Sequence, residues 1–324
     1  MSGVIRLGLL RLCDAAPVVL ADHLDMFGQA GLEVAISVEP SWANIADKLS
    51  YGLLEGAVML PPLALACAAG LRGRATPLVV PMGLSANGDA VTLAARHQAA
   101  FAEGGMPGLA RARLRLAVVH GFSTHDLLLR YWLAAAGIDP DRDVEITVVP
   151  PAEMVGSLAA GAIDGFCAGA PWGEVAVHGG LGFIAVRSRE IWRGHPEKCL
   201  ALTAPFAGRP EAETLVRVLL AAGAHCAAPG APATVAAMLA RPHYLDLPID
   251  LIAGALDPAV GGPVFGAQPP RRRHAQWFAD QLLRWGKAPP GALAGAAEMY
   301  RPDLFEAAGG TAAADEPDVF CDSK

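Results

Sequence analysis

The sequence predicts a two-lobed α/β protein, and three observations carry that expectation. Strand-like apolar runs alternate with helical patterns at the spacing of βαβ units, which build parallel sheets. The alternation is interrupted twice, near 87–91 and near 191–199, so the chain reads as two βα-rich halves joined by two crossovers. Finally, 324 residues, 53% of them apolar and only 18% charged, suffice for about two domains with large buried cores.

The elements follow in order. A first strand is expected over 4–10, a helix over 16–30 and a strand over 32–38. A helix over 43–53 precedes a short strand at 56–59, and 61–69 opens the next helix. Another strand is expected at 78–82. Asn87-Gly88-Asp89 is a turn signal, followed by a strand at 90–93. The second half opens with a strand over 114–119. Gly121 to Asp126 supply a turn and a helix N-cap, an amphipathic helix runs over 126–136, and Gly137 ends it. Strand 144–149, helix 152–160, strand 165–168, helix 171–178 and strand 182–186 complete the alternation. From Lys198 the pattern changes to long Ala/Leu helices at 211–227, 231–240, 248–256 and 274–286. The Gly/Ala/Asp-rich stretch after about 304 is expected to fray.

Composition excludes several functions. A net charge of −7 is the wrong sign for a general nucleic-acid binder, whose phosphate contacts need clustered Lys and Arg. The one basic run, Arg271-Arg272-Arg273, reads as a solvated loop. Asp14 and Pro17 interrupt the apolar opening and no cleavage site precedes the fold, so no secretory signal is expected. No stretch reaches the roughly 20 apolar residues of a membrane helix. The expected location is therefore cytoplasmic, or periplasmic for a chain whose leader has been removed. The six cysteines, Cys13, Cys67, Cys167, Cys199, Cys226 and Cys321, form no C-x-x-C pair and no metal-ligand spacing. They read as small buried thiols in a reducing compartment, with Cys321 exposed in an acidic tail. There is no G-x-S-x-G, P-loop, G-x-G-x-x-G after a strand, H-E-x-x-H or paired-carboxylate motif. Neither catalysis, a metal nor a cofactor is expected.

In a two-lobed α/β body a ligand sits between the lobes, at strand ends and helix N-termini. Four residues occupy such turns. Trp42 follows a strand end, where it is either a core aromatic or a flat pocket wall with an N–H donor. His125 stands at a helix start, where backbone N–H groups point outward toward an anion. Lys198 and Asp89 read on their own as a surface lysine and a turn residue.

Their neighbourhoods change that reading. Gly8-Leu9-Leu10-Arg11-Leu12-Cys13-Asp14-Ala15-Ala16-Pro17 resembles the G-x-x-x-L-x-D-A-A-P opening of the nitrate- and bicarbonate-binding proteins of the NrtA/CmpA type. Further blocks match: Ser41-Trp42; Asn87-Gly88; Thr124-His125-Asp126-Leu127 with Arg130-Tyr131-Trp132-Leu133-Ala134; Val148-Val149-Pro150-Pro151; Asp164-Gly165-Phe166-Cys167-Ala168-Gly169 with Pro171-Trp172. Ile191-Trp192, His195-Pro196-Glu197-Lys198 and Arg284-Trp285-Gly286 complete the series, in order from residue 8 to 286.

The resemblance implies a type II periplasmic-binding-protein-like fold, with one lobe from 1–88 plus 196–300, the other from 89–195, and a flexible tail at 301–324. Without a leader, the chain resembles most the cytoplasmic nitrate-sensor branch, NasS-like, whose partner is an ANTAR-type RNA-binding antiterminator. The alternative implied is the solute-binding component of an ABC importer, with transporter membrane subunits as partners. Carried over by motif, Trp42, His125 and Lys198 fall on nitrate-contacting positions, and a lysine, a helix-start histidine and an indole can surround a small planar anion.

Asp89 departs from the pattern, since nitrate binders carry an amide after Asn-Gly. An ionised carboxylate cannot donate a hydrogen bond and repels nitrate at close range by several kcal/mol at an effective dielectric of about 20. Asp89 is therefore paired with Lys198 or His125, or held protonated by burial, or met by a ligand with its own proton or positive charge. Nitrate is the first expectation, with bicarbonate or an amidinium-like cation behind it.

Overall fold

The computed structural model describes residues 3–109, 113–312 and 316–322. Met1 and Ser2 of the expected opening, and 313–315 with 323–324 of the expected tail, lie outside the described residues.

The described strands in chain order are β1 (Ile5–Leu9), β2 (Val34–Val38), β3 (Gly56–Met59), β4 (Leu78–Ala86), β5 (Asp89–Ala94) and β6 (Arg115–Val118). They continue with β7 (Glu145–Val148), β8 (Gly165–Gly169), β9 (Gly182–Arg187), β10 (Trp192–Arg193), β11 (Pro196–Thr203) and β12 (Val319–Phe320). Two five-stranded sheets result, ordered β2-β1-β3-β11-β4 and β7-β6-β8-β5-β9. In each, three strands joined by helical crossovers run parallel, and one inserted strand, β11 or β5, runs antiparallel to both its neighbours. Those inserted strands are the first to follow each crossover: β5 opens the sheet that β6 to β9 complete, whereas β11 returns to the sheet of β1 to β4. The central strands are buried along their whole length, as strands covered on both faces must be.

Packing follows the same logic. The helix Pro61–Ala68 is apolar all round because it lies inside a layer: Leu63 and Ala64 join the core under the first sheet, while Leu65 joins Phe278 and Leu282 of the helix Arg272–Arg284. The helices Pro210–Ala227 and Ala231–Leu239 pack Leu215, Leu219, Val235 and Met238 into the core on the opposite face. Among the described residues no single helix is long and apolar enough to cross a membrane; these two pass such a test only jointly, across a 113° bend.

The crossovers are tied to each other. The first is Asn87-Gly88, at φ +56° and +94°, a conformation that asparagine and glycine tolerate best. A Cβ on Gly88 would lie 3.0 Å from Pro263. The second runs through the short helix Ser188–Ile191 and β10. Asn87 N–H donates to the carbonyl of His195 at 3.0 Å, and Asn87 Oδ1 accepts from Gly194 N–H at 3.0 Å.

Several expected elements differ. The strand at 78–82 continues to Ala86, and that at 90–93 begins at Asp89, so the turn shrinks to two residues. Residues 196–203 form β11, a strand with no counterpart in the sequence reading; Glu197 and Lys198 break the apolar signature because their partners, not solvent, satisfy them. The helix over 16–30 divides into Ala16–His23 and Met26–Gln29 around Asp25 at φ +52°. A helix over Gln98–Leu109, kinked at Gly105, has no counterpart in the sequence reading. Arg272 and Arg273 open a helix rather than a loop, and Arg273 Nε donates to Asp318 at 3.1 Å.

The described part of the carboxy-terminal stretch carries two elements. Pro302–Ala307 is helical, and β12 pairs antiparallel with β10 at the second crossover. Asp318 accepts from Trp192 Nε1 at 3.3 Å, and Tyr131 Oη donates to Asp322 at 2.6 Å. Five cysteines are buried and Cys321 is exposed.

Candidate functional site

The candidate site grows from strand ends. Asp14 sits in the turn after β1, Trp42 opens the helix Trp42–Ser50 after β2, and His125 lies in the first turn of the helix Thr124–Ala135 after β6. Serines fix both helix starts: Ser41 Oγ accepts from Asn44 N–H at 3.2 Å, and Ser123 Oγ accepts from Asp126 N–H at 3.0 Å. Asp89 is the first residue of β5, in register with Gly169 at the end of β8, and its N–H donates to Ser188 Oγ at 3.2 Å. Glu197 and Lys198 stand near the start of β11, where the pairing to β4 shifts register on either side of Lys198.

These side chains meet in one cluster sealed from solvent. Lys198 Nζ lies 2.8 Å from Asp14 Oδ2, bonds Glu197 Oε1, and sits 5.4 Å from the centre of the Trp42 ring. His125 Nε2 lies 3.1 Å from Asp89 Oδ1 and 3.4 Å from Glu197 Oε1, with neither contact aligned as a hydrogen bond. Asp89, His125, Glu197 and Lys198 are 0% exposed, Trp42 1% and Asp14 3%. The cluster is thus withdrawn from water completely, and each charge must find its balance inside.

That balance is incomplete. Asp14 Oδ1, both oxygens of Asp89, Glu197 Oε2, both ring nitrogens of His125, Trp42 Nε1 and Thr124 Oγ1 are buried without a hydrogen-bond partner among the described residues. A Cβ built on Gly169 would lie 3.2 Å from Asp14 Oδ2, 3.4 Å from Asp89 Oδ1 and 3.7 Å from His125 Nε2. The missing side chain leaves a cradle faced by three heteroatoms from three separate elements.

Burial sets the protonation. It pushes Asp89 up to about 6, against the pull of the Lys198 ammonium, and it pushes Glu197 well above the carboxylate range, with Asp89 adding to the rise. It holds His125 down to about 4, although Glu197 works the other way, and His195 down to about 3. Burial would lower Lys198, but Asp14, Glu197 and Asp89 outweigh it and raise it. At neutral pH the cluster therefore holds an ammonium, neutral imidazoles, a protonated Glu197 and a carboxyl at Asp89 poised near its titration.

Asp89, His125 and Glu197 present ligand atoms within 4.8 Å of one another. A dication there would lie against the ammonium that already bonds Glu197, so the donor set fits a small ligand better than a metal. A cavity of about 400 Å³ beside β11 is lined by Ser85, Gln268, Tyr300 and Lys198 itself, among others.

Of the four residues singled out in the sequence, Asp89, His125 and Lys198 lie in the cluster and Trp42 joins it through Lys198. The Trp42 ring belongs to the core, and its buried Nε1 has no hydrogen-bond partner among the described residues. Sequence reasoning passed over Asp14, Glu197 and Gly169. The signal was available, because each lies within a block that carries the family resemblance.

Several known proteins are similar to this chain. The nitrate import ATP-binding protein NrtC of Synechocystis is 36% identical over 332 residues, covering 93% of this chain and 49% of NrtC. The bicarbonate transport ATP-binding protein CmpC of the same organism is 37% identical, over 88% of this chain and 46% of CmpC. The chain thus spans about half the length of these curated relatives. The nitrate/nitrite binding protein NrtA of Synechococcus elongatus is 30% identical over 319 residues, covering 88% of this chain and 72% of NrtA. The crystal structure of the periplasmic nitrate-binding protein NrtA from Synechocystis superposes with a TM-score of 0.88 at 26% identity, covering 94% of this chain and 88% of that one. The two-lobed fold of periplasmic binding proteins is therefore the fold of this chain. Residues 3–240 match the NMT1-like family, and the chain belongs to that family.

Proposed function

We propose that the protein is the solute-binding component of an ABC-type importer, holding a small planar ion between two lobes, 1–88 plus 196–300 and 89–195. Nitrate is the first candidate and bicarbonate the second, in keeping with the names of the relatives. One observation supports this reading above the others. Charged and polar side chains from both sheets converge, fully buried, on a glycine cradle at the strand ends. Trp42 supplies a flat wall, and His125 and Thr124 stand at a helix N-terminus. Nothing in the cluster pairs an activated nucleophile with a base, so the reading is of a binder rather than a catalyst.

ATP handling is no part of this proposal, because the chain has no P-loop sequence. The sensor reading uses the same cleft and differs only in its partner, an ANTAR-type RNA-binding regulator in place of transporter subunits; it rests on the resemblance in sequence. Calorimetric titration with nitrate, nitrite, bicarbonate and guanidinium tests the binding claim, and absence of heat with all four refutes it. Co-purification with and without nitrate then separates the partners: recovery of transporter subunits supports the importer, and recovery of an RNA-binding regulator supports the sensor.

A further inference from the structure

Building on the oxyanion-binding reading, we infer that this site takes up one proton together with its anion, and that the Asp89 carboxyl, as the carrier of that proton, becomes a hydrogen-bond donor to the ligand. Three features of the geometry lead there.

First, the lysine has little left to give. An ammonium has three N–H donors. Two are directed at Asp14 Oδ2 and Glu197 Oε1, and the Trp42 ring lies 5.4 Å away. Second, Asp89 Oδ1 and Asp14 Oδ2 flank the Gly169 cradle, so an anion there meets oxygens before it meets a free cation. Third, the sealed cluster holds three carboxyl groups against one ammonium. With Glu197 protonated, Asp14 and Asp89 ionised and Lys198 charged, the sum is −1 − 1 + 1 = −1. Adding nitrate would make it −2 in a site without water, whereas a proton on Asp89 returns it to −1 and converts a repelling oxygen into an O–H donor. The proton comes from solvent as the lobes close, and the only bond formed is Asp89 O–H.

The groups facing Asp89 from every side are consistent with this assignment. Lys198 and Glu197 on β11, Asp14 after β1 and His125 on its helix are the titratable neighbours, with the Cys167 thiol of β8 held neutral by burial. His125 and His195 are held neutral by burial, so neither supplies the compensating charge. Burial favours the protonated form of Glu197. Asp89 is the carboxyl that faces the Gly169 cradle with neither oxygen hydrogen-bonded among the described residues.

The experiment is calorimetry of the full chain with potassium nitrate between pH 5.5 and 8.0, in buffer pairs of different ionisation enthalpy, for wild type, Asp89→Asn and Asp89→Gln. Wild type should take up about one proton per nitrate at pH 7.5, and its affinity should fall about tenfold per pH unit above 6. Asp89→Asn and Asp89→Gln keep a donor without the titration, so both should bind with a flat pH profile and no proton uptake, and more tightly than wild type at pH 8.0. Wild-type nitrate binding that is flat in pH without proton uptake overturns the inference while leaving the oxyanion reading intact. Binding of guanidinium but not of nitrate or bicarbonate overturns both, as does silence toward all of them. A thermal melt of each variant checks folding; if one substitution unfolds the chain, the other carries the test.

Discussion

Replacing Gly169 by alanine tests the location of the ligand directly. Gly169 ends β8 with a backbone that any residue can adopt, since it is not among the positive-φ positions. The new methyl would stand 3.2 Å from Asp14 Oδ2, 3.4 Å from Asp89 Oδ1 and 3.7 Å from His125 Nε2, so these side chains need yield only tenths of an ångström. Lower chain entropy in the unfolded state favours the variant by about 0.5–1 kcal/mol. Crowding opposes it by about 1–3 kcal/mol. The net loss of stability should stay within about 2.5 kcal/mol, or a Tm drop under about 10 °C. Binding should suffer more, because the methyl occupies the space where a ligand atom meets its partners. Losing one hydrogen bond to a charged group costs about 1.5–3 kcal/mol, or roughly 10- to 150-fold in Kd. Calorimetry with nitrate, beside a thermal melt, measures both. A folded variant that binds within threefold of wild type would show that no ligand atom lies against Gly169.

Three other perturbations follow from the geometry. Lys198→Met leaves Asp14 and Glu197 without their ammonium and should cost about 3–5 kcal/mol in urea denaturation, together with nitrate binding; a loss below 1 kcal/mol would mean that the buried pair is not holding the strand ends. Asn87→Ala removes the hydrogen bond to Gly194 and puts alanine at φ +56°, so chemical denaturation should show about 1–3 kcal/mol lost. Burial holds His120 down to about 4, so its contribution is fully present above about 6.5 and is lost as pH falls from there toward 4. His120→Gln should therefore lose less stability than wild type between pH 7.5 and 4.5, and a larger loss in the variant would reverse the assigned direction.

Much of the architecture was legible because βα alternation leaves a periodic apolar signature, and the two breaks in it coincide with Asn87-Gly88 and with the segment before β11. β11 was not legible. Its buried Glu197 and Lys198 look solvent-facing in a linear reading, and only partners that come from β1, β5 and the helix Thr124–Ala135 make them interior. The docked carboxy-terminal stretch was hidden for a similar reason: Asp318 is an ordinary acidic residue until Trp192 and Arg273 surround it. Asp89 was legible as an anomaly, but its meaning needed the neighbouring Glu197, whose adjacency no spacing rule conveys.

The division of contacts between the two sheets explains why a ligand would matter to closure. Lys198, Glu197 and Asp14 all hang from the first sheet, so the contacts of Lys198 with both acids survive any separation of the two bodies. Asp89 and His125 both belong to the second, and their 3.1 Å contact survives as well. What opening would break within the cluster is the 3.4 Å approach of His125 to Glu197 and the adjacency of the Asp89 and Glu197 carboxyls. A neutral imidazole and two acids that must share protons contribute little attraction across the gap. A ligand shifts an open–closed balance only by its difference in affinity for the two states, and a planar ion reaching His125 and Asp89 on one side and Trp42 on the other would gain its second set of contacts only on closing. Outside the cluster, Lys287 beside Asp126 at 2.9 Å and Cys13 N–H donating to the Ala170 carbonyl at 3.0 Å also join the two bodies, so the ion would add to contacts already made on closing.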